Sequence, residues 1–430
     1  MGSIKNAGTL LGGNVVGQGI AFLSYLLLCR LFTPEDFGLY NVFYGYLEVL
    51  IILSTCKYEM AIVVAQDDIR ATQVARMSLR LNLIVSLALL AAAGMLAILY
   101  VSPDTGFGPG TGPKIPWPML LLIPVMVYFC GTSRVYSSLG VRQERFRAIA
   151  GADVTGSLAT TVAKLAAGAL APVVRWLHSY GMPIGTVLGV MARNTWLRHK
   201  AAGLLKSTGD TRTDFRAVAR EYRHYPLYVM PKEFLSSFSV NLPFLWLALY
   251  FDNATIGLFA LALTFLQRPM LMVANAMENS YYSDSAARQR EGKPLFGRLG
   301  RMAGGLAAVA LPIAVAGFFW AEPIFTFLLG EQWVGTGYYV RCLLPWLVVR
   351  LLANALAFTG NLFETQHVDF WMQVALLALR VAALGVGVAR HDFRLAIFLF
   401  CAVSTAVQLV QLAWYLWQLR RYDKQLRVES

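Results

Sequence analysis

Long apolar segments follow one another along almost the whole chain, and they restrict its fold more than any other feature. Each holds about 20 residues, the length at which a helix rising 1.5 Å per residue crosses a hydrocarbon core. Because 57% of the residues are hydrophobic and only 14% are charged, little remains for a soluble domain. We predict an all-α integral membrane protein with about 12 transmembrane helices. The segments are residues 9–31, 37–58, 78–101, 117–139, 148–171, 182–198, 226–250, 254–283, 299–320, 338–360, 368–389 and 393–418.

Lysine and arginine are distributed unevenly between the two sides of this predicted arrangement. The loops on the side of both termini hold 26 of them, whereas the loops on the other side hold five. Since basic loops stay on the cytoplasmic side, we expect a multi-pass protein of the bacterial plasma (inner) membrane with both termini cytoplasmic. The net charge of +13 then reflects topology, and we expect membrane lipids rather than nucleic acid as partners.

A short pattern occurs twice, 219 residues apart, each time between the first and second helix of a set of six. Since six is an even number, both sets have the same orientation, and we expect a glycine to make each turn. We interpret the chain as a duplicated unit that forms two parallel-related six-helix bundles around a central cavity. The two copies are Phe32 with Gly38-Leu39-Tyr40, and Phe251 with Gly257-Leu258-Phe259.

The repeat also predicts the domain boundaries. We expect an N-terminal six-helix bundle over 1–200, a cytoplasmic amphipathic linker over 201–225 and a C-terminal six-helix bundle over 226–430. Within the linker, TDFRAVAREYRHY places apolar side chains on one face of a helix and arginines on another. This helix is expected either on the inner leaflet or as a solvated connection.

Four segments make the chain resemble a known family over essentially its whole length. They are RLFTPEDFGLYNVF (30–43), TCKYEMAIVVAQDDIRA (55–71), GVRQERFRAIA (140–150) and LLGEQWVGTG (328–337). The family is the polysaccharide lipid-intermediate flippases, which include the O-antigen and exopolysaccharide flippases of the multidrug/oligosaccharidyl-lipid/polysaccharide exporter (MOP) superfamily. Where that family commonly has Arg-Tyr-Glu, this chain has Lys57-Tyr58-Glu59, so the charge is kept and the residue type differs.

The resemblance implies a function and a set of partners. The substrate would be an oligosaccharide linked to undecaprenyl diphosphate, moved from the inner to the outer leaflet for lipopolysaccharide or extracellular polysaccharide biosynthesis. A polysaccharide polymerase and a chain-length regulator would be its protein partners.

Such a substrate requires cations for its diphosphate. A charge at the bilayer centre costs about 2.5–3.5 kcal/mol, so a basic residue within a span marks either a pathway or a structural ion pair. Arg268 is the most central, and a guanidinium can bind phosphate through two parallel hydrogen bonds. For Arg268 the alternative is an ion pair with Glu48 or Glu278, and Lys232 could instead reach the inner headgroups. The resemblance places the helices of Arg350 and Arg380, the tenth and eleventh, further from the pathway. For Lys57 the alternative is a surface ion pair with Glu59. The predicted diphosphate-binding residues are Arg268, Lys232, Arg350, Arg380 and Lys57.

Acidic and polar residues within the spans form two further predicted sets. The carboxylates either bind a coupling ion, H+ or Na+, or balance the basic residues. The polar residues of the first and seventh helices either line the cavity or form a hydrogen-bonded seam between helices. The carboxylates are Glu48, Glu59, Glu233 and Glu278, and the lining residues are Asn14, Gln18, Tyr25, Ser237 and Asn241.

The sequence predicts neither a metal site nor catalytic residues. Its five cysteines and five histidines lack metal-ligand spacing, and a Walker A motif is missing. Two alternatives to a flippase remain. A cation-coupled drug antiporter of the same superfamily needs acidic groups in a cavity poor in basic charge. A membrane glycosyl polymerase or ligase usually needs a large outer loop, and the outer loops here are short.

Overall fold

The computed structural model describes residues 19–20, 23–101, 115–201, 215–363 and 365–429. Asn14 and Gln18 lie outside the described residues, as does the side chain of Glu278. Throughout this part of the chain the regular secondary structure is helical. The helices are α1 (described over 23–31), α2 (Pro34–Leu50), α3 (Asp68–Val101), α4 (Trp117–Arg142), α5 (Phe146–Leu170), α6 (Trp176–Ala201), α7 (Phe215–Glu221), α8 (Met230–Trp246), α9 (Asn253–Arg290), α10 (Phe296–Leu329), α11 (Thr336–Ala355), α12 (Gln366–Ala389) and α13 (Phe393–Glu429).

Each of the twelve predicted apolar segments falls on a helix, although the first is described only in part. Five helices are long and apolar enough to cross a membrane on those criteria alone: Asp68–Leu99, Trp117–Arg142, Phe296–Leu329, His367–Ala389 and Phe393–Leu426. Helices α2 and α8 have only 17 residues each, and short helical turns extend the chain beyond them. The long apolar helices identify a membrane-embedded, all-α architecture.

The two copies of the repeated pattern have the same local structure. Helix α2 begins at Pro34 after Thr33, whose side chain and that of Asp36 form a capping box. Helix α9 begins at Asn253, 219 residues later, and the starts of α4 and α11 have the same separation. The expectation that glycine makes the turn is wrong, because Gly38 and Gly257 are buried inside the helices. In the first copy the capped helix start changes the chain direction.

The chain forms two compact units, Met1–Ala254 and Thr255–Ser430. Helix α8, which the repeat assigns to the second half, packs on α2 in the first unit. Phe244 lies close to Gly45, where an added Cβ would stand 3.1 Å from the Cβ of Phe244. The boundaries predicted from the repeat describe sequence similarity rather than contacts, and they stay predictions.

The amphipathic helix α7 packs on protein. Val218 is fully buried in an apolar cluster with residues of α3 and α4, and Phe215, Ala219 and Tyr222 pack against the same cluster. Arg70 bonds to Glu221 at the end of α7. The apolar face is therefore covered by the first unit, and a position of the arginine face at the inner leaflet stays a prediction.

Candidate functional site

Two predicted site residues of the first unit form an ion pair. Lys57 follows the end of α2, where the chain leaves the helix with Cys56 and Lys57 both in the left-handed region, at φ 47° and 65°. The Lys57 ammonium contacts the carboxylate of Glu233 on α8, and the two side chains are 9% and 44% exposed. A predicted phosphate contact and a predicted coupling carboxylate thus neutralise each other in this structure.

Glu59, a second predicted coupling carboxylate of the first unit, also has partners. Glu59 is buried and accepts a 2.5 Å hydrogen bond from the Thr55 hydroxyl. One of its oxygens lies 4.0 Å from the Arg134 guanidinium, a partner that the sequence did not single out. Because burial of a lone polar group is costly, the hydroxyl and the guanidinium together offset part of the cost of burying the Glu59 side chain.

Glu48 joins α2 to α8. Its carboxylate accepts a 3.0 Å bond from the Asn241 side chain, and its backbone oxygen accepts a 3.3 Å bond from the Ser237 hydroxyl. Ser237 and Asn241 therefore form a polar seam between two helices of one unit. A role in lining the pathway stays a prediction for both residues.

Tyr25 and Lys164 lie in the buried part of the first unit. Tyr25 is 6% exposed, and its ring centroid lies 6.1 Å from that of Phe37. The Lys164 ammonium is buried and donates a 2.9 Å bond to the Tyr40 hydroxyl, which lies 3.2 Å from that of Thr186. The structure therefore surrounds the Lys164 ammonium with aromatic and hydroxyl groups.

In the second unit, two predicted arginines lie around one tryptophan. Arg380 on α12 is 1% exposed, and its Cζ lies 5.1 Å from the ring centroid of Trp346 on α11. The Cζ of Arg350 lies 5.4 Å from the same centroid. The ring centroid of Phe400 lies 4.6 Å from the Arg380 Cζ. The Ser404 hydroxyl accepts a 2.9 Å bond from the Arg380 Nε. The positions of Arg350 and Arg380 in the sequence do not predict this cluster, because it forms only when α11 and α12 pack together.

This cluster concentrates positive charge and hydrogen-bond donors. Arg350 Nη1 and Trp346 Nε1 are buried without a hydrogen-bond partner among the described residues. The Arg380 Nε donates its hydrogen bond to the Ser404 hydroxyl. Cation–π contacts contribute about 0.5–2 kcal/mol each, whereas burial of a charge costs several kcal/mol. A role for this cluster in binding an anion stays a prediction.

The remaining predicted cations occupy different surroundings. Arg268 is half-buried near the middle of α9, next to the helix-interior Pro269. Lys232 is exposed in the first turn of α8. The structure gathers Arg350 with Arg380 and pairs Lys57 with Glu233, so the five predicted cations do not form one group within either unit.

A comparison with known protein families identifies the family of this chain. A family described as "Polysaccharide biosynthesis protein" matches residues 27–336, which is more than half of the sequence. The chain belongs to this family. No curated protein matches it by sequence.

Solved structures of MOP superfamily transporters share the fold. The lipid II flippase MurJ in an inward closed conformation has a TM-score of 0.69 at 11% identity, covering 99% of this chain and 91% of that one. An inward-facing multidrug resistance MATE family transporter has a TM-score of 0.64 at 12% identity, with 96% and 99% covered. A MOP superfamily transporter from Pyrococcus furiosus, whose binding pocket is described as having reverse polarity, has a TM-score of 0.57 at 14% identity, with 97% and 96% covered. This chain is therefore a multi-pass membrane protein with the fold of these transporters.

Proposed function

We propose that this protein is a flippase for lipid-linked oligosaccharide. It moves a sugar carried on undecaprenyl diphosphate from the cytoplasmic to the outer leaflet of the bacterial plasma membrane by alternating access. Both termini are cytoplasmic in this proposal, as the distribution of basic residues suggests. The product serves assembly of lipopolysaccharide or extracellular polysaccharide, where a polymerase and a chain-length regulator act next.

The observation that carries this proposal is the pair of arginines around Trp346. Two guanidiniums with an orphaned N–H nearby match the oxygens of a diphosphate, because guanidinium forms short charge-assisted bonds to phosphate. The membership in a polysaccharide biosynthesis family supports a sugar-bearing ligand. The similarity to MurJ supports transport of a lipid-linked precursor only as an analogy of fold.

A cation-coupled drug antiporter fits the described residues less well. Such a transporter needs carboxylates that can receive an organic cation. The three described candidate carboxylates already contact partners of their own unit: Glu233 contacts Lys57, Glu59 contacts Thr55 and Glu48 contacts Asn241. Their role in the proposal is to take up a coupling H+ or Na+ when those contacts break.

The proposal is tested by following the lipid-linked sugar itself. In cells depleted of the protein, the sugar should still be attached to the lipid and should accumulate on the inner leaflet, while extracellular polysaccharide falls. Protection of the sugar from an external glycosidase in sealed cells or vesicles reports its leaflet. If the lipid-linked sugar fails to form, the protein acts before translocation and the proposal is wrong.

Variants at Arg350 test the proposed anion contact. Arg350→Gln should abolish translocation at normal protein level, and Arg350→Lys should retain part of it, because the charge survives without the planar donor fork. Arg394 is a matched control, since its Cζ lies 5.3 Å from the Tyr338 ring but the side chain is exposed. Arg394→Gln should translocate normally. Full activity of Arg350→Gln would contradict the assigned role.

A further inference from the structure

We infer that a groove between α9, α10 and α11 binds an acidic phospholipid of the cytoplasmic leaflet. One acyl chain lies along α10, and the phosphate lies at Arg298 and Arg301. The groove belongs to the second unit alone, and it is separate from the arginines around Trp346. The inference does not depend on the transported substrate.

The groove is large and mostly apolar. Its volume is about 880 Å³, and among the described residues of its lining the charged ones are Arg298 and Arg301. Along α10 it extends from Arg298 to Ala314, and along the antiparallel α9 it extends from Tyr281 back to Phe265. An amphiphile with an anionic head and an apolar chain matches this distribution of charge.

Among the described residues of the second unit, no side chain fills the α10 side of the groove beside Gly305. A Cβ added at Gly305 would meet no atom within 4 Å. One and two turns further, the side chains of Val309 and Ile313 are 64% and 65% exposed. In a membrane protein this open apolar strip contacts hydrocarbon, and the glycine lets a chain approach the helix backbone.

The basic end lies at the predicted cytoplasmic surface. Arg298 and Arg301 lie in the first two turns of α10, which begins at Phe296 after a loop on the side of the termini. Arg301 Nε donates a 3.0 Å bond to the Gly297 oxygen, which orients its guanidinium along the helix. Basic pockets between transmembrane helices on this side bind acidic lipid headgroups.

Among the described residues, three arginines and one aspartate lie near the start of α10: Arg298, Arg301, Arg420 and Asp423. The two carboxylate oxygens of Asp423 accept bonds of 2.8 and 3.1 Å from the backbone amides of Leu295 and Phe296. Arg420 adds positive charge, with its Cζ 4.7 Å from the Phe296 ring. An anion is therefore favoured at this level.

The length of the groove favours an acyl chain over the chain of a polyprenyl lipid. From Met302 to Ala314 the apolar part rises about 18 Å at 1.5 Å per residue. That is close to one leaflet of hydrocarbon, about 15 Å. A phospholipid acyl chain ends at this depth, whereas an undecaprenyl chain is far longer than the groove.

The test measures lipid binding to the full-length protein purified in detergent. Added phosphatidylglycerol should raise the unfolding temperature with a saturable dependence, and phosphatidylcholine with the same acyl chains should not. Each of Arg298→Gln and Arg301→Gln should raise the half-saturating lipid concentration about fivefold, the effect expected for one basic residue near a charged surface. The control Arg421→Gln/Lys424→Gln removes two exposed charges of α13 outside the groove. It should leave the half-saturating lipid concentration unchanged.

A second pair of variants tests the groove without changing charge. Gly305→Leu fills the groove, whereas Gly304→Leu adds the same side chain at a neighbouring position that also has open space but does not line it. Phosphatidylglycerol should stabilise Gly304→Leu but not Gly305→Leu. If Gly305→Leu does not fold, native mass spectrometry of the arginine variants compares retained lipid directly.

Three results would overturn the inference. The first is equal stabilisation by both phospholipids. The second is unchanged affinity for phosphatidylglycerol in the double variant Arg298→Gln/Arg301→Gln. The third is displacement of phosphatidylglycerol by equimolar undecaprenyl phosphate, which would assign the groove to the prenyl chain. None of these depends on sugar translocation, so they are distinguishable from failure of the proposed function.

Discussion

The ammonium of Lys57 forms an ion pair with the carboxylate of Glu233, and this contact joins the break after α2 to the first turn of α8. The residues are 176 positions apart in sequence. Only 9% of the Lys57 side chain is exposed, compared with 44% of the Glu233 side chain. Loss of the ion pair would therefore leave Lys57 buried without its partner, whereas Glu233 would still be solvated.

This asymmetry predicts unequal effects of the two single substitutions. Glu233→Gln leaves a buried ammonium without its partner and should lower the free energy of unfolding by about 2 kcal/mol, below the 3–5 kcal/mol typical of fully buried pairs. Lys57→Met leaves a carboxylate that water can reach, and it should cost clearly less. Thermal unfolding of the purified variants measures both, and the double variant should recover most of the loss. Equal losses for the two single variants would contradict this account.

The attachment of α7 should weaken at acidic pH. The hydrogen bonds from Arg70 hold the pKa of Glu221 below its ordinary value. A lowered folded-state pKa means that the contribution is complete above the ordinary carboxyl pKa and is lost as pH falls through the lowered one. Because the pair is near the surface, the effect should be below about 1 kcal/mol.

Limited proteolysis near α7 at decreasing pH measures this attachment. Cleavage should stay constant from neutral pH down to the ordinary carboxyl range and increase below it. Glu221→Gln should show increased cleavage already at neutral pH, with a flatter dependence. A wild-type profile that matches the variant at every pH would rule out a role for this contact.

Substitutions at Arg380 separate a structural role from a ligand-binding role. Arg380 is buried against Trp346 and Phe400, so Arg380→Met keeps the volume and removes the cost of burying a charge. We expect unchanged or higher thermal stability with loss of translocation. Ser404→Ala removes the acceptor of the Arg380 Nε and should cost about 1–3 kcal/mol. A stable Arg380→Met protein with full translocation would show that the charge is dispensable.

The contact between α3 and α4 depends on a glycine. A Cβ added at Gly131 would collide with the Asn82 amide and would stand 2.9 Å from the Ser54 hydroxyl. The Asn82 amide is held by bonds to the Tyr128 oxygen and the Thr132 hydroxyl, at 2.9 and 3.1 Å. Gly131→Ala should therefore destabilise the fold by about 1–3 kcal/mol.

A second substitution tests the cause of that effect. Asn82→Ala vacates the space, so the double variant Gly131→Ala/Asn82→Ala should lose less stability than the sum of the two single variants. Thermal unfolding gives the coupling energy, which neighbouring residues typically show at 0.5–3 kcal/mol. Strict additivity would mean that the collision is relieved elsewhere.

The sequence by itself determined the helices and their membrane setting. Apolar runs long enough for a bilayer allow few alternatives, because backbone amides in hydrocarbon must bond within their own helix. The helix starts at Pro34 and Asn253 recur at the separation of the repeated pattern, because caps and turns depend on neighbouring residues. The glycines of the repeated pattern were misassigned because their burial inside helices depends on packing.

Only the tertiary structure decided which charged and polar groups meet. Lys57 could have contacted phosphate and Glu233 a coupling ion, but the packing of α8 on α2 placed them together. Arg350 and Arg380 were separate candidates until α11 and α12 brought both to Trp346. The apolar face of α7 matched a lipid surface as well as it matched the protein cluster that covers it. Periodicity specifies which face of a helix is apolar or charged, whereas the partner of that face depends on contacts between residues far apart in the chain.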